Sequence, residues 1–344
     1  DPGVKVQLAP STDNRLPVFY GRNVTGAIAV DAQIKNQNNT MQYVMVIGEK
    51  TDNGSYSINN IYRGDAKLNF GSGASSHVVQ SITDPNATSS NQVSGKMRCR
   101  VFAGDAQSTA SQIFPSTGTP VTAQSLVTTI TATTNYDDLV YAVFELDYDP
   151  ENGLTQLGSM SFDITNSLNS PANVMLDYCQ NTRYGAGLSA DELDLTSFVE
   201  LWDHSNISGS TGNVEYLTNL GVSAYHSRYQ IDGMLSTYQA VKNNIDQLSQ
   251  SCAAYFTYDA KLGKFKVVPN RAATTTEKTN AFVFDNDNIL TAINISSTEL
   301  YSLYNSIEAE YPEVERKDQT NIVIVDTPAG DRNANEPDNP LNTR

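Results

Sequence analysis

The sequence predicts a mainly β fold, an antiparallel barrel or sandwich with α+β segments inserted in its middle. Three observations carry that expectation. Residues 1–165 run as short strands between Gly and Asp turns, residues 166–275 switch to helical spacing, and residues 276–344 return to a period of two. Strands with one dry face and one wet face belong to antiparallel sheets rather than to buried parallel ones.

The strand assignments follow in order. "MQYVMVIGE" sets Met41, Tyr43, Met45 and Ile47 on one face, with a shorter apolar set between them. "SYSINNIYRGD" and "KMRCRVFAGD" read as further strands ended by turns. The stretch "GSGASSHVVQSITDPNATSSNQVSG" is small and polar, and reads as a loop or surface subdomain within a polar insertion at about 71–125. "SLVTTITATT" and "DDLVYAVFELDYD" are β in composition. In the second, the even positions from Val140 to Tyr148 are apolar and Glu145, Asp147 and Asp149 share the other face. "GSMSFDIT" alternates Met160, Phe162 and Ile164 with Ser and Asp.

In the middle, Ser170-Pro171 supplies an N-cap and a first-turn proline for a helix over "PANVMLDYCQ". Gly185 and Gly187 suit its termination, and Ser189 with Glu192 forms a capping box for a helix over "ADELDLTSFVELW". A third helix begins near Ser236, with Tyr238, Val241, Ile245, Leu248 and Cys252 as its core stripe. It leads into two strands over "AAYFTYDAKLGKFKVVPN", turning at Gly263. In the last section Ile307, Ala309 and Tyr311 oppose Glu308 and Glu310 along one strand, and "TNIVIVDTP" is one more. The polar end "AGDRNANEPDNPLNTR" reads as a linker into further sequence.

Composition narrows the function. With 38 acidic and 22 basic residues and a net charge of −16, the surface is not built to hold nucleic acid. No apolar run is long enough to span a membrane as a helix, and no basic-then-apolar leader is expected. Cys99, Cys179 and Cys252 lie far apart without CxxC spacing, so buried free thiols are expected, with neither a disulfide framework nor a zinc site.

The candidate chemistry is thin. The run Gly185 to Ala190 opens a helix as a dinucleotide cradle would, but a capped helix precedes it instead of a strand, so the glycines are read as a turn. Asp203-His204 could suggest a metal pair or a general base with its orienter. His77, His204 and His226 are isolated, however, and no second ligand stands at helical spacing. "DYDPENG" reads as a turn rather than a calcium loop. Carboxylate pairs for glycoside hydrolysis stay open in so acidic a chain. No catalytic, cofactor-binding or metal-ligating residue is assigned, and no enzyme is expected.

Two stretches carry a family resemblance. "RLPVFYGRNVTGAIA", Arg15 to Ala29, resembles the P-x-x-YGR opening of phage tail tip attachment proteins of the lambda J type. "PANVMLDYCQNTRYGAGL", Pro171 to Leu188, resembles their PA-x-x-x-x-D-x-x-x-N-x-RYG-x-G stretch and is the more specific of the two. Weaker matches follow in order, at Phe284 to Ile289 and Asn305 to Pro312; the Thr- and Asn-rich region at about 71–135 matches nothing.

The resemblance implies a baseplate or tail tip hub, a homotrimer with two tail-tube-like β domains per chain. Those would be the β sections before about 165 and after about 276, with 166–275 as the inserted domain. It implies a tail tube or distal tail protein above, a fibre or spike and a tape measure protein below, no cofactor, and a place at the tip of a virion. DNA would pass without specific binding, with Glu145, Asp147, Glu308 and Glu310 as candidate lumen charges. The alternative is a carbohydrate-binding or glycan-cleaving surface protein of a virion or bacterium.

Overall fold

Alternating apolar positions can be buried completely only if a sheet finds a lid or closes on itself, and this chain does the second. The computed structural model describes residues 15–86, 89–205, 228–285, 288–290, 294–296, 306–313 and 319–326. The chain divides at Asn270/Arg271 into two compact units.

The first unit holds β1 (Val18–Gly26), β2 (Ile28–Lys35), β3 (Thr40–Glu49), β4 (Tyr56–Arg63), β5 (Ala66–Phe70) and β6 (Val78–Thr83). It continues with β7 (Asn91–Ala103), β8 (Gln112–Phe114), β9 (Leu139–Asp147), β10 (Met160–Asn166) and β11 (Gly233–Leu235). Neighbours run β1-β10-β4-β5-β6-β7-β9-β3, and β3 returns to β1 at the parallel pair Val18 and Glu49. The result is a closed eight-stranded barrel, mainly antiparallel, as expected. Phe19, Ile47, Met97, Phe144, Phe162 and Ile164 fill its interior. Eight strands leave just the width that side chains fill, so the barrel is a packed core and not a bore.

A second core lies outside the barrel wall. Val44, Val46, Phe102, Tyr141 and Val143 are covered by Ala106, Ala123, Val127 and Ile130. The expectation of a strand over "SLVTTITATT" is therefore corrected: the segment holds a single helical turn, α1 (Ala123–Leu126), followed by turns. Its Leu126 carbonyl accepts from Lys35 Nζ and Gln42 Nε2. Tertiary packing of Val127 and Ile130 outweighs β propensity there.

The expected loop over "GSGASSHVVQSITDPNATSSNQVSG" is also corrected, since it contains β6 and the start of β7. Val79, Ile82 and Val93 point into the barrel. A bulge between Val79 and Ser81 shifts the inward set by one residue and hides the alternation in the sequence.

The third core joins β1 to the helical segment. It packs Val18 and Tyr20 against α2 (Pro171–Gln180), α3 (Leu195–Ser205), α4 (Val241–Ser251) and the hairpin β12 (Ala254–Asp259)–β13 (Lys264–Pro269). Two details depart from expectation. Ala190–Glu192 is only a 3-10 turn, because Leu193 bridges to Phe265 and Asp194 N–H donates to its carbonyl before α3 begins. Tyr238 lies ahead of α4 and is 61% exposed, so it is not part of the core stripe that Ile245, Leu248 and Cys252 supply.

The second unit includes α5 (Thr275–Thr279) and the antiparallel hairpin β14 (Ser306–Glu313)–β15 (Gln319–Asp326). Thr274 and Glu277 form a capping box on α5, and Arg271 holds Glu277 at 2.9 Å. That contact and the Thr274 amide pull the Glu277 carboxyl down to about 2. His226 and the polar end "AGDRNANEPDNPLNTR" lie outside the described residues.

Candidate functional site at the barrel–helix seam

The two motif stretches face each other across the outer wall of the barrel. Alternation in β1 sends Phe19 inward and Val18 and Tyr20 outward. The Tyr20 hydroxyl donates to Asp177 Oδ2 at 3.0 Å, and the Tyr184 hydroxyl donates to the same oxygen at 2.7 Å. Asn53 Nδ2 reaches Oδ1 at 3.4 Å. Burial pushes the Asp177 carboxyl up, while the bonds from Tyr184, Tyr20 and Asn53 pull against it. Burial and the adjacent carboxylate raise both phenols far above their ordinary value, so each keeps its proton and stays a donor.

Each remaining residue of "YGR" has its own partner. Gly21 sits at φ +64°, and a Cβ there would meet the Asp232 carboxylate at 2.1 Å. Arg22 N–H donates to that carboxylate at 2.7 Å. The Arg22 guanidinium forks onto Asp163 of β10, Nε at 3.0 Å and Nη2 at 2.9 Å. Asn59 and Asn60 donate to the same carboxylate at 3.0 and 3.1 Å. Burial alone would raise the Asp163 carboxyl; the donors from Arg22, Asn59 and Asn60 outweigh it and hold it below the usual value.

The second stretch closes α2. Asn181 Oδ1 accepts from the N–H groups of Arg183 and Tyr184, and its Nδ2 donates to Asp52 at 2.9 Å. Arg183 ties Glu49 at the end of β3, at 2.8 Å, to Asp138 ahead of β9, and donates to the Lys50 carbonyl at 2.6 Å. The N–H groups of Ala186, Gly187 and Leu188 donate to the carbonyls of Tyr178, Asn181 and Cys179. A phosphate cradle needs those amides free. Here they terminate a helix, and a Cβ on Gly185 would lie 1.9 Å from the Tyr178 carbonyl.

The other sequence candidates have structural partners as well. His204 lies with Arg228 Nη1 at 2.9 Å from Nδ1, a cation where a metal pair would need room for another. His77 sits beside Arg100 and Arg98, and burial and those cations lower its basicity. "DYDPENG" is a capped turn, with Asp149 accepting from Asn152 and Gly153 left-handed. Glu145 and Asp147 lie on the outer face of β9, where Arg98 Nη2 binds Asp147 at 3.0 Å and Nε stands 3.9 Å from Glu145. The three cysteines are free and buried, and burial raises Cys179 to about 12 and Cys252 to about 11. Among the described residues, no group of three His, Cys, Asp or Glu side chains gathers to hold a metal.

Sequence reasoning found Tyr20, Gly21, Arg22, Asp177, Asn181, Arg183, Tyr184 and the glycines as motif positions. It missed their partners Asp163, Asp232, Glu49 and Asp138, for which the one local signal is an Asp amid the alternation of "SFDIT". Chemically the arrangement fastens two layers of structure, with the Asp177 and Asp163 carboxylates each held by neighbouring donors.

No family model matches the chain, and no curated protein matches it. Among solved structures it is similar to a chain of the virion of a native gene transfer agent particle. The TM-score is 0.41 at 14% identity, over 97% of this chain and 70% of that one.

Proposed function

We propose that the chain is a structural virion protein without catalytic activity, and more narrowly the hub of a phage tail tip or baseplate. In this reading it forms a trimeric ring below the tail tube or distal tail protein. Fibre or spike and tape measure protein attach beneath, and DNA leaves through the centre.

The observation that supports it is the seam. The two stretches resembling tail tip attachment proteins hold residues as far apart as Tyr20 and Asp177, 157 positions, and they meet in one buried network. Chance matches have no reason to touch. Two motifs that serve the same joint make a single resemblance of greater weight. The joint is also of the kind an assembly part needs: charge-assisted bonds, about 1.5–3 kcal/mol each, fasten a helical layer to a rigid barrel.

Because the barrel is filled by its own side chains, the DNA path in this reading runs between copies. Glu145 and Asp147, already held by Arg98, contribute little free charge to it; Glu308 and Glu310 are exposed. The test is light scattering on the purified chain with negative-stain class averages, alone and with tail partners. A three-fold ring with a central hole is expected. A chain that stays monomeric with partners present would overturn the reading.

A further inference from the structure

The sequence holds two Asn-Gly pairs, Asn53-Gly54 and Asn152-Gly153. In such a pair the glycine nitrogen can attack the side-chain amide carbon of the asparagine, because no Cβ stands in its way. The new N–C bond closes a succinimide ring, the nitrogen gives up its proton, and ammonia leaves. Water then opens the ring to aspartate or isoaspartate. The reaction needs only solvent, so the fold decides it by leaving the two groups free to meet or by holding them apart.

The two pairs differ in that respect. Asn152 closes the turn Pro150–Asn152, where Gly153 N–H donates to the Pro150 carbonyl at 3.2 Å and Asn152 Nδ2 donates to Asp149 at 2.8 Å. Both reacting groups are occupied. Asn53 is exposed in the loop between β3 and β4. Its Nδ2 reaches Asp177 Oδ1 at 3.4 Å, beyond the usual hydrogen-bond range, and Gly54 N–H has no partner among the described residues.

Packing also dictates the glycine. Gly54 sits at φ +98°, and a Cβ there would lie 2.3 Å from Asn166 Oδ1. Asn166 is itself fixed, its Nδ2 donating to the Phe19 carbonyl and to Thr51 Oγ1. The fold thus requires the one residue type that leaves Asn53 reactive.

We propose that Asn53 is a site of spontaneous deamidation, and that its conversion loosens the joint between barrel and helical layer. Aspartate at 53 sets a carboxylate where Asp177 Oδ1 had a donor. Tyr20 and Tyr184 both bind Oδ2, so Oδ1 is left facing a like charge. Isoaspartate lengthens the backbone by a methylene and displaces the Asn53 carbonyl, to which Thr51 Oγ1 donates.

The experiment ages the full chain in mildly alkaline buffer, folded and in urea, and follows both peptides by mass spectrometry. In the folded protein Asn53 should convert about ten times faster than Asn152, the ratio that ~1.4 kcal/mol of barrier makes. In urea, where neither pair is held, the two rates should converge. Equal folded rates, a faster Asn152 or no conversion at Asn53 overturns the inference. A ratio that persists in urea does so too, since the difference would then lie outside the fold. Asn53→Asp supplies the product directly and should lower the folding equilibrium about fivefold, or ~1 kcal/mol. Asp177→Asn in the same chain should recover part of that loss. An unchanged equilibrium for Asn53→Asp overturns the loosening of the joint.

Discussion

Strands β9 and β15 read almost alike, "LVYAVFELD" and "QTNIVIVD", yet their surroundings are opposite. In β9 one face enters the barrel core through Val140, Ala142, Phe144 and Leu146, and the other enters the outer core through Tyr141 and Val143. In β15, Ile322, Val323, Ile324 and Val325 are all exposed. Local apolar content therefore does not determine burial; the number of partner layers the chain brings to the strand does. The barrel closes on itself and is covered outside, whereas the hairpin brings two strands and no described layer over them.

The most direct way to break that comparison uses one substitution at two places. Ile164→Ala empties a fully buried position in the barrel and should cost about 4 kcal/mol, the transfer term plus the cavity it leaves. Chemical denaturation would read this as a fall in midpoint with an unchanged slope. A loss under ~1 kcal/mol would mean that the barrel interior can collapse around the gap and is not the rigid element described.

Next in size is the seam. Arg22→Leu leaves the buried Asp163 carboxylate with two amide donors and no cation, and should cost about 3 kcal/mol. Restoring neutrality with Asp163→Asn in the same chain should recover part of that loss. Recovery is the diagnostic outcome, because a merely disrupted surface would not be rescued by a second substitution.

Much of the barrel and half of the seam are legible in the sequence. Period two exposes β3, β7, β9 and β10, and Ser170-Pro171 marks the start of α2. β6 is hidden by its bulge, and the segment around α1 by β-forming residues held in place from outside. Tyr20 and Asp177 each look functional in a motif, but nothing local says that they touch. Asp163 looks like a solvated strand residue until Arg22, 141 positions earlier, reaches it. The partner, not the motif, is what sequence spacing conceals.

Acid titration sharpens the seam further, because its two buried carboxylates have opposite signs. Asp163 is held below its ordinary 3.8 when folded, so its contribution is present above that value and lost as pH falls through the folded one. Asp177 is held above 3.8, so its contribution is full below that value and lost as pH rises through the folded one. Melting temperatures followed from pH 3 to pH 7 should show Asp163→Asn less acid-labile than the unaltered chain. Asp177→Asn should instead lose the relative stabilisation that acid brings. Parallel curves for all three proteins would mean that neither carboxylate is linked to folding through the seam.

The smallest expected effect decides the opening comparison. Ile324→Ala removes the same atoms as Ile164→Ala, from the hairpin face that also carries Glu308 and Glu310. Exposed at that position, the side chain has little burial to lose, and the cost to the isolated chain should stay within ~0.5 kcal/mol. If Ile324→Ala instead destabilises the isolated chain by several kcal/mol, the hairpin is covered from within one chain. The contrast between β9 and β15 then disappears.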